Sequence, residues 1–163
     1  MSIRGFEKVS TIEFKKRAQT LSMSPERLYN DVVLPTRASI GSAGYDFRVI
    51  TKFTLRPGEI KILPTGIKAY MDIDEYLSIH IRSSLAIKYG IVLVNQEGII
   101  DADYYNNSDN EGHIMIAVKN TSDTPYVFEK GDKVAQGIFH KFLLVDSDDV
   151  QTERKGGIGS SGK

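Results

Sequence analysis

The chain contains no cysteine, which excludes disulfides, thiolate metal sites and thiol nucleophiles. Histidine is scarce. His80, His113 and His140 are scattered without metal-ligand spacing and read as ordinary strand or surface residues. Neither charge is in excess, with 21 Lys+Arg against 21 Asp+Glu. Such a chain has no bulk field to gather nucleic acid or an anionic membrane, so any anion site must be built locally. No apolar run approaches the roughly 20 residues of a membrane span. The opening residues, MSIRGFEKVS, lack the apolar centre of a signal peptide. The expectation is a cytoplasmic protein with no membrane contact and no direct nucleic-acid binding. Its 163 residues suggest one domain, long enough to bury a core without staples.

The middle of the chain reads as strands. FTL and IKIL flank a Pro-Gly turn, and YLSIHIR alternates, with Leu77, Ile79 and Ile81 on one face and Ser78, His80 and Arg82 on the other. GIVLV, a break at NQEG, and II read as a hairpin. HIMIAVKN, TPYVF and KVAQGIF continue the series, and short strands at close spacing argue for a sandwich, jelly roll or barrel. Residues 11–29 look helical or irregular, with Ser24-Pro25-Glu26 as a helix start. Residues 104–112 form a polar, turn-rich loop, and residues 151–163 a Gly-rich mobile arm.

Several stretches can carry chemistry, and each also has a plainer reading. Arg82, Ser83 and Ser84 follow a strand and can grip phosphate oxygens. On that stretch alone, a surface Arg beside a Ser helix cap is the simpler account. At NQEG, a hairpin tip can offer main-chain groups to a flat ring, and Asn95 can donate and accept there. Asp101 follows Ile99-Ile100 and can deprotonate a water, while Tyr104 can lay its ring against a sugar. A turn Asp and a packed Tyr are equally good readings. Asp46 stands between Tyr45 and Phe47 and needs a partner if buried. Gln136 lies among apolar residues, as a ligand-binding or a merely satisfied amide. GGIGSSGK at the C-terminus matches most of the G-x-x-x-x-G-K phosphate loop, but no helix follows Lys163. Such an arm can only close over an anion held elsewhere, or serve as a solubilising tail.

In order, these stretches resemble the five motifs of the homotrimeric dUTPases. AGYDF resembles the first, RSSLAIKYG the second, NQEGIIDADY the third, GDKVAQ the fourth and RKGGIGSSG the fifth, from about residue 35 to the C-terminus. The resemblance implies an all-β fold, a dUTPase-like distorted jelly roll or β-barrel over residues 1–150. Residues 1–30 would be a short, variable, helical or irregular segment, and 151–163 a flexible arm crossing to a neighbouring subunit of a homotrimer. It implies hydrolysis of dUTP to dUMP and pyrophosphate with Mg²⁺, by water attack on the α-phosphorus. Asp101 would activate the water, with Asp46 as a supporting acid. Asn95, Gly98, Ile99 and Ile100 would read uracil, and Tyr104 would pack beneath the deoxyribose. Arg82, Ser83, Ser84 and Gln136 would hold phosphates, and Arg154, Gly157, Ile158, Gly159 and Ser160 would close over them. The metal would be carried by the triphosphate, with no direct protein ligand and a water bridge to Asp46.

The chain departs from the pattern in places. Ile158 stands where the arm usually carries an aromatic that stacks on uracil, so either the stacking is lost or another ring, Phe128 or Tyr105, supplies it. Lys133 replaces a frequent Arg. The arm is one residue shorter between its Arg and the Gly-Gly pair, and YNNSDNEGH makes a longer loop after the third motif, as in some bacterial or phage members. The nearest alternative is dCTP deaminase, which shares the fold and an Arg-Ser-Ser stretch. A second is a dUTP-responsive regulator whose closed arm presents a surface to a protein partner.

Overall fold

Alternation along the chain is turned into two-sided strands. In residues 75–81, Leu77 and Ile79 are 0% and 3% exposed, while His80 remains partly open. The opposite face is not wholly wet, because Ser78 is buried too. The computed structural model describes residues 3–19, 24–152, 154 and 156–158. In chain order its elements are β1 (Gly5–Lys8), α1 (Thr11–Ala18), α2 (Pro25–Asn30), β2 (Thr36–Arg37), β3 (Tyr45–Arg48), β4 (Phe53–Leu55), β5 (Ile60–Pro64), β6 (Ile67–Tyr70), β7 (Glu75–Ile81), α3 (Ser83–Tyr89), β8 (Ile91–Leu93), β9 (Gly98–Asp101), a 3-10 turn (Ala102–Tyr104), β10 (Met115–Asn120), β11 (Tyr126–Phe128) and β12 (Lys133–Lys141).

One sheet runs β2-β3-β12-β7-β9 and a second β5-β10-β8, with β1-β6 and β4-β11 as two-stranded pairs. Every pairing is antiparallel. Phe47, Leu77 and Val134 from the large sheet join Leu63, Ile116 and Val118 from the smaller one in a single apolar core. This is the distorted jelly roll or barrel expected.

Chain reversals switch sheets. FTL and IKIL do flank a turn, but β4 pairs β11 and β5 pairs β10. The same holds at NQEG, and here the expected hairpin is corrected. β8 pairs β10, whereas β9 pairs β7. The two arms diverge because each pairs with a longer strand in its own sheet.

The N-terminal helices pack into the core. Ser10 caps α1 by accepting from the Glu13 N–H at 3.1 Å. Phe14 and Ala18 are fully buried, and the Phe14 ring lies 5.5 Å from that of Tyr29. Gly66, at φ +74, lets β6 begin beneath this helix; a side chain there would strike Val32 at 2.7 Å. α2 starts with Pro25 in its first turn, as the Ser-Pro-Glu signal implies.

Candidate active site

The parting of β8 and β9 opens a cavity of about 460 Å³. Leu93 and Val94 line one side, Gly98 and Ile100 the other, with Asn95 at the turn. β9 is the last strand of its sheet. Antiparallel pairing to β7 uses alternate N–H and C=O groups, so the remainder point from the free edge into the gap. A side chain at position 98 would meet Ile79 at 3.1 Å and the Asn95 amide at 3.6 Å. Glycine therefore keeps the slot clear. The Val94 N–H donates to Ala117 C=O at 3.0 Å, which holds the first arm away.

Asp101 ends β9 at the mouth of this cavity, and Tyr104, 6% exposed, closes part of its wall. Burial pushes the Tyr104 phenol above its ordinary value, so it stays a neutral donor. The described arm residues reach the same place in the same chain. Arg154 donates from Nη2 to Asp101 at 2.5 Å and from Nε to Asp103 at 2.8 Å. Its guanidinium lies 5.6 Å from the centre of the Tyr104 ring. Ile158 lines the cavity. Gly157 is buried so closely that a side chain would meet Asp109 at 2.7 Å. Gly159 and Ser160 lie outside the described residues.

A second cluster sits on the other side of the large sheet's register. Asp46 on β3 is 5% exposed. One of its oxygens accepts from Arg82 and the other pairs with Lys133 Nζ at 2.6 Å. The partner that Asp46 needs is thus a pair of cations, 36 and 87 residues away in sequence (82−46 and 133−46). A register shift between Lys133 and Ala135 re-aims the start of β12. Gln136 pairs with Asp46 on one side and His80 on the other. A side chain at Gly44 would strike its Oε1 at 2.3 Å. Ser83 and Ser84 open α3, which Gly90 ends at φ +64. Arg48, Arg82, Ser84 and Lys133 line an open hollow of about 350 Å³.

The two clusters are separate within one chain. Asp101 pairs with Tyr76 and Gln136 with His80. Four residues along β7 and two strand spacings lie between them, about 17 Å at ~3.4 Å per residue and ~4.8 Å per strand. Arg82 is farther still, just past the end of β7.

Two expectations are corrected by packing. Phe128 is fully buried, its ring 4.8 Å from Phe53. Tyr105 donates to Glu7 at 2.7 Å and sits edge-on to Tyr70 at 5.9 Å. Neither is free to stack on a base; the aliphatic Ile158 lines the cavity instead. Sequence spacing also missed a serine between two histidines. The Ser78 hydroxyl is within 3.0 Å of His140 Nε2 and 2.9 Å of His80 Nε2. Period-two alternation does place Ser78 and His80 on one face; His140 arrives only through the pairing of β12 with β7. At 0% exposure Ser78 is a buried, satisfied hydroxyl and not a nucleophile.

Known proteins resemble this chain in sequence and in fold. The dUTPase family profile matches residues 30–162. The chain is 44% identical over 164 residues to the deoxyuridine 5'-triphosphate nucleotidohydrolase of Lactococcus lactis, covering 99% of each. It is 40% identical over 146 residues to that of Haemophilus influenzae, covering 84% of this chain and 92% of the relative. Among solved structures, the dUTPase from Streptococcus mutans superposes with a TM-score of 0.69 at 40% identity, over 88% of this chain and 99% of that one. The dUTPase from phage phi11 of S. aureus gives 0.67 at 18% identity, over 93% and 97%, a likeness of fold.

Proposed function

The chain belongs to the dUTPase family and is a dUTP diphosphatase, and from that premise we propose how its own residues carry the reaction. The reading rests on one observation above all. Two strands of different sheets leave a slot between their free edges, with a carboxylate at its mouth and a buried tyrosine in its wall. A base entering this slot meets main-chain donors and acceptors of β9 and the Asn95 amide. A narrow slot with fixed polar groups rejects the wrong base through the polar groups it would leave unpaired. Tyr104 takes the deoxyribose, and its packing leaves no room for a 2′-hydroxyl.

Asp101 is the general base. It takes a proton from a water, whose oxygen forms a bond to the α-phosphorus as the bond to the β-phosphate bridging oxygen breaks. Pyrophosphate leaves with the electron pair. Arg154 now sits on Asp101 and would move to the phosphates, freeing the carboxylate. Arg82, Ser83, Ser84, Gln136 and Lys133 hold the phosphate chain. Asp46 keeps Arg82 and Lys133 in place before substrate arrives, and such preorganised charge is effective in stabilising a leaving anion.

The donor set fits a metal carried by the nucleotide. Among the described residues, the one cluster of three metal-binding side chains is Asp72, Asp74 and Glu75. Glu75 is taken up by Arg4 and Asp74 by Lys141. Mg²⁺ would be held by the triphosphate, with Asp46 holding one of its waters through remaining acceptor capacity. When bound, it neutralises charge on the departing pyrophosphate.

The separation of about 17 Å means that one chain does not bring Asp101 and Gln136 to the same phosphate chain. We infer a site completed by other copies in a homotrimer. Phe142, Leu143, Leu144 and Val145 follow β12 as an exposed apolar run, at 40%, 96%, 67% and 70%. A second copy would cover it. Among the described residues no helix is long and apolar enough to cross a membrane, and we place the enzyme in the cytoplasm.

The test is pyrophosphate release from dUTP, dCTP, dTTP and UTP by the full chain. Turnover of dUTP alone is expected. Ammonia release from dCTP, or equal turnover of all four, would overturn the reading.

A further inference from the structure

The loop after the third motif is not a simple surface insertion. Asn107 is 8% exposed, Asn110 2% and His113 0%, unusual burial for polar residues in a turn. Their hydrogen bonds converge on Tyr104. Asn107 Nδ2 donates to the Tyr104 C=O at 2.8 Å. Asn110 Nδ2 donates to the Tyr104 hydroxyl at 2.7 Å, and that hydroxyl donates to the His113 C=O at 3.1 Å. Gly112 closes the loop at φ +81, where any side chain would meet the Tyr104 carbonyl oxygen at 2.7 Å. Both ends of Tyr104 are therefore held by this loop.

The loop is braced in turn by the N-terminal segment. Gly66 N–H donates to His113 Nε2 at 2.8 Å, so the proton is on Nδ1, 3.2 Å from Glu13 of α1. Ser10 donates from its hydroxyl to Glu111 at 2.6 Å and from its N–H at 2.8 Å. Arg17 Nη2 lies 3.7 Å from Asp109. Residues 1–29 precede the family match, yet α1 supports the wall of the nucleoside cavity.

We propose that Asn110 is a positioning residue for sugar selection, acting through Tyr104. The ring forms a wall only if it cannot swing. A phenol anchored at its hydroxyl on both a donor and an acceptor, and at its backbone by Asn107, has no low-energy way to yield to a ribose. Unanchored, it could shift by the fraction of an ångström that admits a 2′-hydroxyl. This inference rests on the proposed placement of the deoxyribose against Tyr104.

The two ends of the Asn110 amide have separate tasks, which makes the idea testable. Its Oδ1 accepts from Asn107 Nδ2 at 2.8 Å and Gly112 N–H at 3.1 Å, holding the loop together. Only Nδ2 reaches Tyr104. Asn110→Asp keeps the loop acceptor and offers the phenol an acceptor in place of a donor, so the hydroxyl can satisfy it only by leaving the His113 C=O. Tyr104→Phe keeps the ring and removes the hydroxyl. Each variant is measured for kcat/KM on dUTP and on UTP, with Tm as the control for folding. Each single change is expected to lower the dUTP:UTP preference by about tenfold, the low end of the roughly 10–200-fold discrimination a pocket gains from one small group. The double variant is expected to lose no more than Tyr104→Phe alone, because without the hydroxyl the side chain at position 110 no longer acts on the ring. An unchanged preference in Tyr104→Phe overturns the proposal even where Asn110→Asp fails to fold. Parallel loss on both substrates, tracking a lower Tm, overturns it as well. A wild-type enzyme inert towards dUTP would defeat the functional reading itself, before this one is reached.

Discussion

The proposed nucleoside cavity and the proposed phosphate cluster use opposite physical means. The cavity at β8 and β9 is made of main-chain edges, apolar walls and a neutral phenol, and in the proposed reading it selects by shape and by the polar groups a wrong base would leave unpaired. The cluster at Asp46, Arg82 and Lys133 is charge held in place by charge, on strands of the large sheet. A flat neutral base needs complementary edges, whereas a polyanion needs cations that do not have to reorganise.

The largest expected effect breaks the comparison at its acid. Asp101→Asn should lower kcat on dUTP by roughly 10³-fold, since a general base contributes about 10²–10⁴, with little change in KM. Arg82→Ala should also be nearly inactive. If the halves come from different copies, mixing and refolding these two dead variants together should regain a readily measured fraction of wild-type turnover. A mixture as dead as its components would show that each chain works alone. Next in size is the arm. Truncation after Glu153 removes its ligand to the acid and the cavity cover through the loss of Arg154 and Ile158, and should cut turnover far more than it shifts Tm. Equal turnover of the full and truncated chains would refute a closing arm.

The smallest effect concerns the support beneath the cavity. Burial holds the His113 pKa below its ordinary 6.5, against the opposing pull of Glu13 and Glu111 and with Arg17 adding to the depression. As pH falls below 6.5, the unfolded chain takes up a proton that the native ring resists. This contribution to stability is thus complete above that pH and is lost as pH drops towards the folded value. Thermal denaturation between pH 7.5 and about pH 5 should show a steeper fall for wild type than for His113→Gln. Parallel curves would mean that His113 is not the group responsible.

Much of this was legible in local pattern. Alternation at Leu77, Ile79 and Ile81 marked β7, and the order of motifs marked Asp101, Tyr104, Arg82 and the arm as parts of one chemistry. Gln136 and Asp46 were visible as polar residues in apolar strands, but not as cross-strand neighbours. Whether Phe128 or Tyr105 is free to stack was not legible, because an aromatic's availability depends on what packs against it, and Phe53 and Tyr70 are distant in sequence.

The amino-acid order by itself determined the class of fold, the chemical groups available and their grouping into motifs, because those depend on residue type and on spacing within a few positions. Only the tertiary structure decided that the arms at NQEG part company, that Asp46 is paired with two remote cations, and that Asn110 and the loop braced by α1 hold the Tyr104 hydroxyl and backbone. Period-two alternation records which face of a strand is buried and is silent on which strand lies beside it. Each of those decisions is a choice of neighbour made through contacts far apart along the chain.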